Sequence, residues 1–144
     1  MVQKNTVYLS CNSQKDLDSK AKKFIIERAE LAIKNKGSFS LVLSGGTTPV
    51  NVYKLLAKEQ VDFEKWHIYF GDERCFPLDH LERNSNVAES TWLSKVKILK
   101  SNIFIIPAEL GNTEGALAYE KILDKNKPFD LVILGLGDDG HIAS

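Results

Sequence analysis

The chain has 144 residues, 43% hydrophobic and 26% charged, with a formal net charge of zero. That allows one soluble domain with its own core, and the even spread of Lys and Arg argues against a dedicated binder of nucleic acid or anionic membranes. No apolar run approaches the ~20 residues of a membrane span, the start M-V-Q-K-N-T-V-Y-L-S lacks the long apolar region of a secretory signal, and Cys11 and Cys75 are far apart with no CxxC, so a cytoplasmic location is expected.

In chain order, Thr6 to Leu9 reads as a first strand. From about Gln14 to Lys34 the pattern turns helical, with Leu17, Ala21, Phe24, Ile25 and Ala32 on one face and Lys, Asp and Glu on the other. Gly37 is the expected stop. Ser40 to Leu43 is a second strand, followed by the turn Ser44 to Pro49, S-G-G-T-T-P. Thr48 and Pro49 are start signals for a helix to about Lys58, with Val52, Leu55 and Leu56 inward. Trp66 to Phe70 is a third strand leading into Gly71 to Arg74, G-D-E-R, and a loop, Cys75 to Arg83. A short helix is expected from Asn84 or Ser85 to Leu93, burying Val87, Ala88 and Trp92. Asn102 to Ile106 is a fourth strand closed by Pro107. A helix follows from Thr113 to about Asp124, with Ala116, Tyr119 and Leu123 inward. The apolar run Phe129 to Leu134 is a last, buried strand.

Short apolar strands alternating with amphipathic helices predict an α/β, Rossmann-like fold: a mainly parallel sheet with helices on both faces, joined by right-handed crossovers. In such sheets ligands bind at the carboxyl ends of the strands. Three of these ends carry unusual chemistry: S-G-G-T-T-P, G-D-E-R and, after the last strand, G-L-G-D-D-G-H. A parallel sheet places all three on one edge, and this expected convergence is the reason to infer a site.

Each motif has a plainer reading. Gly45 and Gly46 let the backbone bend so that N–H groups point outward, and Ser44, Thr47 and Thr48 add hydroxyls at a helix start, which suits an anion; an ordinary capped turn would look the same. In the second motif, Asp72 and Glu73 precede Arg74, which could clamp a phosphate, stabilise an oxyanion, or sit in a surface salt bridge. In the third, Gly135, Gly137 and Gly140 match the spacing G-x-G-x-x-G, but Asp138 and Asp139 would repel a pyrophosphate. Three ligands in one tight turn could not easily surround a metal ion. His141 stands just past the strand, where a helix would start, placed either for acid–base work or to cap that helix. His67, His80 and Cys75 carry no such signal.

The stretches L-V-L-S-G-G-T-T-P, W-H-I-Y-F-G-D-E-R-C-F-P-L-D-H-L-E-R-N-S-N and F-D-L-V-I-L-G-L-G-D-D-G-H-I-A-S together resemble the 6-phosphogluconolactonase family, from about Ser40 to the last residue. Its superfamily also holds glucosamine-6-phosphate deaminase and ribose-5-phosphate isomerase. Ser144 after Ala143, and Arg74 after Asp72 and Glu73, are similar to the lactonases rather than the deaminase. The resemblance implies hydrolysis of 6-phospho-D-glucono-1,5-lactone to 6-phosphogluconate, in the oxidative pentose phosphate pathway, with no metal or other cofactor. It implies His141 as general base, Asp139 as the group orienting the turn or the imidazole, and Arg74 on the phosphate or the oxyanion. Ser44 to Thr48, with Asp72 and Glu73, would line the phosphosugar pocket. Family members are substantially longer, so the 144 residues are expected to be a truncated domain that is itself weakly active or inactive. The competing readings are a deaminase or isomerase of the same fold, a non-catalytic sugar-phosphate binding module, and, more distantly, a dinucleotide-dependent oxidoreductase. Nothing in the residues sets an oligomeric state.

Overall fold

The computed structural model describes residues 6–123 and 128–142. The elements are α1 (Gln14–Lys36), β1 (Phe39–Leu43), α2 (Thr47–Leu56), β2 (Trp66–Phe70), α3 (Asn84–Thr91), β3 (Ile103–Phe104), α4 (Asn112–Leu123) and β4 (Leu131–Val132), with short 3-10 turns between several of them. Ser13 caps α1 by accepting the Asp16 N–H, and Gly37 closes it with φ of +86°, a conformation that disfavours a side chain.

The four strands form one parallel sheet in the order β3-β2-β1-β4. The central strands are buried on both faces, which explains their nearly unbroken apolar sequence. On one face Phe39, Leu41, Leu43, Trp66, Ile68 and Phe70 meet Ile25 and Ala29 of α1, Val52 and Leu56 of α2 and Ala88 of α3. Trp66 and Trp92, fully buried, meet edge-on with centroids 5.9 Å apart, and Phe39 packs on Trp66 at 4.8 Å. The other face carries Val42 and Tyr69. Tyr69 stacks on Phe104 at 4.6 Å and touches Phe129 at 4.9 Å. The connection through α4 runs in the opposite direction to those through α2 and α3, and right-handed crossover then places α4 on this second face. Its Tyr119 is buried and bonds both the Phe70 N–H and the Phe104 carbonyl.

Asp130 sets the register of β4. Its carboxylate accepts from the Ser40 N–H (2.8 Å) and hydroxyl (2.9 Å) and pairs with Lys36 (2.9 Å). Burial alone would raise this carboxyl, but the Lys36 ammonium and the Ser40 donors outweigh it and hold it below the usual range.

Several expectations need correction. Thr6 to Leu9 has no ladder partner among the described residues, and Val7, Tyr8 and Leu9 are exposed. β1, next in the chain, already has β2 and β4 on its two sides, so the segment has no adjacent edge to join. α2 starts at Thr47, two residues before Pro49, because Gly46 takes the N-cap with φ of +102°. Proline is tolerated within the first turn, where N–H groups lack helical partners. The last two expected strands shrink to Ile103–Phe104 and Leu131–Val132, each paired on one side only. In α4, Ala116 is exposed and Gly115 is buried instead, pressed so closely on the Pro107 carbonyl that a Cβ would lie 2.8 Å from it. Asp124, the expected end of that helix, lies outside the described residues, as do Ala143 and Ser144.

Candidate active site

The sheet grows from β1 to β2 to β3 in one direction, and β4 then returns to the far side of β1. Loops leaving β1 and β4 therefore diverge, and such a reversal opens a crevice at the carboxyl edge. A cavity of about 780 Å³ lies there. Ser44, Gly45, Gly46, Thr47 and Thr48 line it from the first turn, Asp72 and Arg74 from the second, and His141 with Gly135 and Gly137 from the third. The structure thus brings together the three stretches that the sequence singles out. Leu17, Ala21 and Phe24 of α1 form an apolar wall, which accounts for the half-exposed Phe24 on a face expected to be buried.

The first turn is held from below. The Tyr53 hydroxyl accepts the Ser44 N–H (3.1 Å) and donates to the Ser44 carbonyl (2.8 Å). Tyr53 is buried, and that burial pushes its phenol far above the usual tyrosine range. With Ser44 satisfied internally, the backbone turns through Gly46 into α2. The first-turn N–H groups of Thr47 and Thr48 lie at the positive end of a ten-residue helix, and such donors suit a phosphate or carboxylate.

The second turn splits its charged residues. Asp72 and Arg74 border the cavity, and among the described residues the Arg74 guanidinium has no ion-pair partner. Glu73 turns away, and its side chain is fully buried. It accepts from the backbone N–H groups of Arg74, Asn84 and Ser85, so it caps α3 from eleven residues upstream, where that helix has no side-chain cap of its own. Glu73, expected in the phosphosugar pocket, is therefore placed behind its wall. Arg83, also fully buried, lies 3.7 Å from Glu73 and donates to Glu109 (3.0 Å) and to the carbonyls of Phe76 (3.2 Å) and Ile106 (2.7 Å).

The third turn folds back on itself. Leu136 and Ile142 form an antiparallel bridge, and the chain doubles back through Gly140, whose φ is +87°. The Gly137 N–H donates to the His141 carbonyl (2.9 Å) and the Gly140 N–H to the Gly137 carbonyl (2.9 Å). Among the described residues, which end at Ile142, no helix follows this turn. The imidazole lies over Gly137, where any Cβ would overlap it. Its Nδ1 meets the Asp139 carboxylate, which also accepts the His141 N–H. The imidazole bond first, and then the backbone bond, hold the Asp139 carboxyl below its ordinary range. Asp138 is exposed on the same turn. Among the described residues no group of three or more His, Cys, Asp or Glu is arranged to hold a metal.

Sequence reasoning passed over Tyr53, Arg83, Asn84 and Asp130. A tyrosine one turn into an amphipathic helix looks like core, and its second task shows only when its hydroxyl is traced to Ser44. Arg83 and Asn84 sit in a polar loop where burial leaves no mark. Asp130, a lone carboxylate opening an apolar run, was the one visible signal among these.

Compared with known proteins, residues 12–144 match the family profile described as glucosamine-6-phosphate isomerases/6-phosphogluconolactonase. The chain is 38% identical over 140 residues to the 6-phosphogluconolactonase of Synechocystis sp., covering 85% of this chain and 58% of that one. It is 36% identical over 129 residues to the 6-phosphogluconolactonase of Nostoc sp., covering 83% and 54%. The crystal structure of 6-phosphogluconolactonase from Thermotoga maritima superposes with a TM-score of 0.84 at 31% identity, covering 95% of this chain and 62% of that one. The chain spans about half the length of the curated relatives it matches. The parallel sheet, the order of the three strand-end turns and this similarity along nearly the whole chain agree, and the chain belongs to the glucosamine-6-phosphate isomerase/6-phosphogluconolactonase family.

Proposed function

We propose that the chain is one α/β domain of an enzyme that hydrolyses 6-phospho-D-glucono-1,5-lactone to 6-phosphogluconate, a step of the oxidative pentose phosphate pathway. The single observation that carries this reading is the meeting of His141, whose imidazole Asp139 holds from outside the lining, with Arg74 and the glycine-containing turn on one cavity. An ionised Asp139 accepts from Nδ1–H of His141, which leaves the Nε2 lone pair to face a water molecule. That water adds to the C1 carbonyl as Nε2 takes its proton, and the tetrahedral carbon then expels the ring oxygen, to which Nε2 returns the proton. A lactone is an activated ester, so an oriented water and one general base suffice and no cofactor enters the step. Ser44 to Thr48 and Asp72 hold the phosphosugar through N–H groups, hydroxyls and a carboxylate, and Arg74 contacts the phosphate or the developing oxyanion. Two unpaired cysteines, Cys11 and Cys75, fit the reducing cytoplasm where this reading places the protein.

The test is hydrolysis of freshly prepared 6-phosphogluconolactone by the protein carrying this chain, with spontaneous opening subtracted and His141→Asn run beside it. The expected result is rapid turnover that falls about 10²–10⁴-fold in the variant. Turnover that survives the substitution removes His141 from the mechanism. Background rates alone, with glucosamine 6-phosphate or a pentose phosphate converted instead, would move the assignment to the other activities of the family. Phosphosugar binding without turnover would leave a binding module.

A further inference from the structure

Two of the three turns are tied to each other by a residue that touches neither the cavity nor, by the reading above, the substrate. Asn84 opens α3 directly after the buried Arg83. Its Nδ2 donates to the Asp72 carbonyl at 3.2 Å, which fixes the backbone between β2 and Arg74. The same carboxamide occupies the space beside Gly45 in the turn after β1. A Cβ on Gly45 would overlap it, lying 2.8 Å from Cγ and 2.9 Å from Nδ2. Gly45 has an ordinary φ, so its missing side chain answers to this contact and not to backbone strain, unlike Gly46 with φ of +102°.

Asn84 is itself rigidly held. Its N–H and that of Ser85 both end on the buried Glu73 carboxylate. Arg83 stands beside that carboxylate and reaches on to Phe76, Ile106 and Glu109. A buried ion pair is weak evidence for stability, because desolvation offsets much of the attraction, but it can hold one geometry against alternatives. Here the geometry held is the position of one carboxamide between two substrate-facing turns.

We propose that Asn84 is a positioning residue that sets the spacing between the anion-facing turn at Gly45 and Gly46 and the Asp72–Arg74 turn, and so governs binding of the phosphosugar rather than proton transfer at His141. This rests on the phosphosugar reading of the cavity. It deepens that reading by assigning the distance between the two anion-facing walls to a residue outside the cavity lining.

The experiment compares wild type, Asn84→Ala, Gly45→Ala and the double variant. It reads KM and kcat for 6-phosphogluconolactone, calorimetric affinity for 6-phosphogluconate, and the thermal midpoint. Asn84→Ala raises KM about three- to tenfold, the scale of one lost hydrogen bond, with kcat nearly unchanged. Gly45→Ala raises KM further, because the new methyl drives the turns apart. In the double variant the methyl has room, so KM falls back below that of Gly45→Ala, a non-additivity expected of residues in contact. A purely structural Asn84 would lower the thermal midpoint and leave KM at the wild-type value, and that result overturns the proposal. So does a double variant whose KM is the product of the single effects, or a loss confined to kcat. If wild type shows only background lactone opening, the lactonase reading fails, while affinity for 6-phosphogluconate reads the same coupling. An affinity unmoved across all four proteins then overturns the positioning role as well.

Discussion

Tyr53 and Tyr119 do the same job at different strand ends. Each spends one buried hydroxyl on two backbone groups: the N–H and carbonyl of Ser44 for Tyr53, the Phe70 N–H and Phe104 carbonyl for Tyr119. Replacing Tyr53 by Phe leaves both Ser44 groups without that partner in a largely buried place, and a loss of about 1–3 kcal/mol in urea unfolding is expected. Burial pushes the Tyr119 phenol up to about 12. A raised folded value means that the stabilisation is fully present below the unfolded value of about 10 and is lost as pH rises from there toward 12. Alkaline unfolding followed by tryptophan fluorescence should therefore begin above about pH 10 and become less steep in Tyr119→Phe. Asp139 has the opposite sign. Its carboxyl is held below the ordinary value by His141, so the pairing present above about pH 4 is lost only on further acidification. The side-chain carboxyl carbon shift of Asp139, followed by NMR, should therefore titrate below about pH 4, and move back toward the ordinary carboxyl range in His141→Asn.

At the scale of elements, ends matter more than interiors. Gly37 has open space around it, so Gly37→Ala meets only the strain of φ +86° and should cost about 1 kcal/mol in thermal unfolding. β4 is two residues long and is kept on β1 largely by Asp130. Asp130→Asn removes the charge from the bonds to Ser40 and from the pair with Lys36, and a loss of about 1–3 kcal/mol near neutral pH is expected. The folded carboxyl lies below its unfolded value, so this contribution is present above about pH 4 and disappears as pH falls further. Wild type and variant should converge in stability at low pH, measured by urea midpoints. The consequence reaches the cavity, because β4 carries the turn that ends in His141.

At the scale of the molecule, two arrangements share the work. The aromatic face around Trp66 and Trp92 supplies most of the close-packed apolar contact. The Glu73–Arg83 pair instead joins the β2 turn, the loop through Phe76, the start of α3 and the approach to α4 at one buried point. Arg83→Met leaves the Glu73 carboxylate buried without its cation and should cost about 3–5 kcal/mol, whereas Arg83→Met with Glu73→Gln should cost less than Arg83→Met alone. Urea unfolding of the three variants decides this, and equal or larger losses in the double variant would contradict it. On the β4 side, Val132, Leu134, Leu136 and Ile142 remain substantially exposed among the described residues.

By itself the sequence determined the fold class and the edge of the sheet where the candidate site lies. Apolar runs at strand length and helical periodicity report burial directly, and a parallel sheet forces its strand-end turns onto one edge; Ser44–Thr48, Asp72, Arg74 and His141 meet there for that reason. It did not determine which neighbours hold those residues. Whether Glu73 faces the cavity or α3, and why Gly45 must lack a side chain, depend on contacts across 11 to 39 positions of sequence, those of Glu73 with Asn84 and of Gly45 with Asn84. Local propensity is silent on pairs of that kind, because a buried polar group declares itself only through the partner that satisfies it.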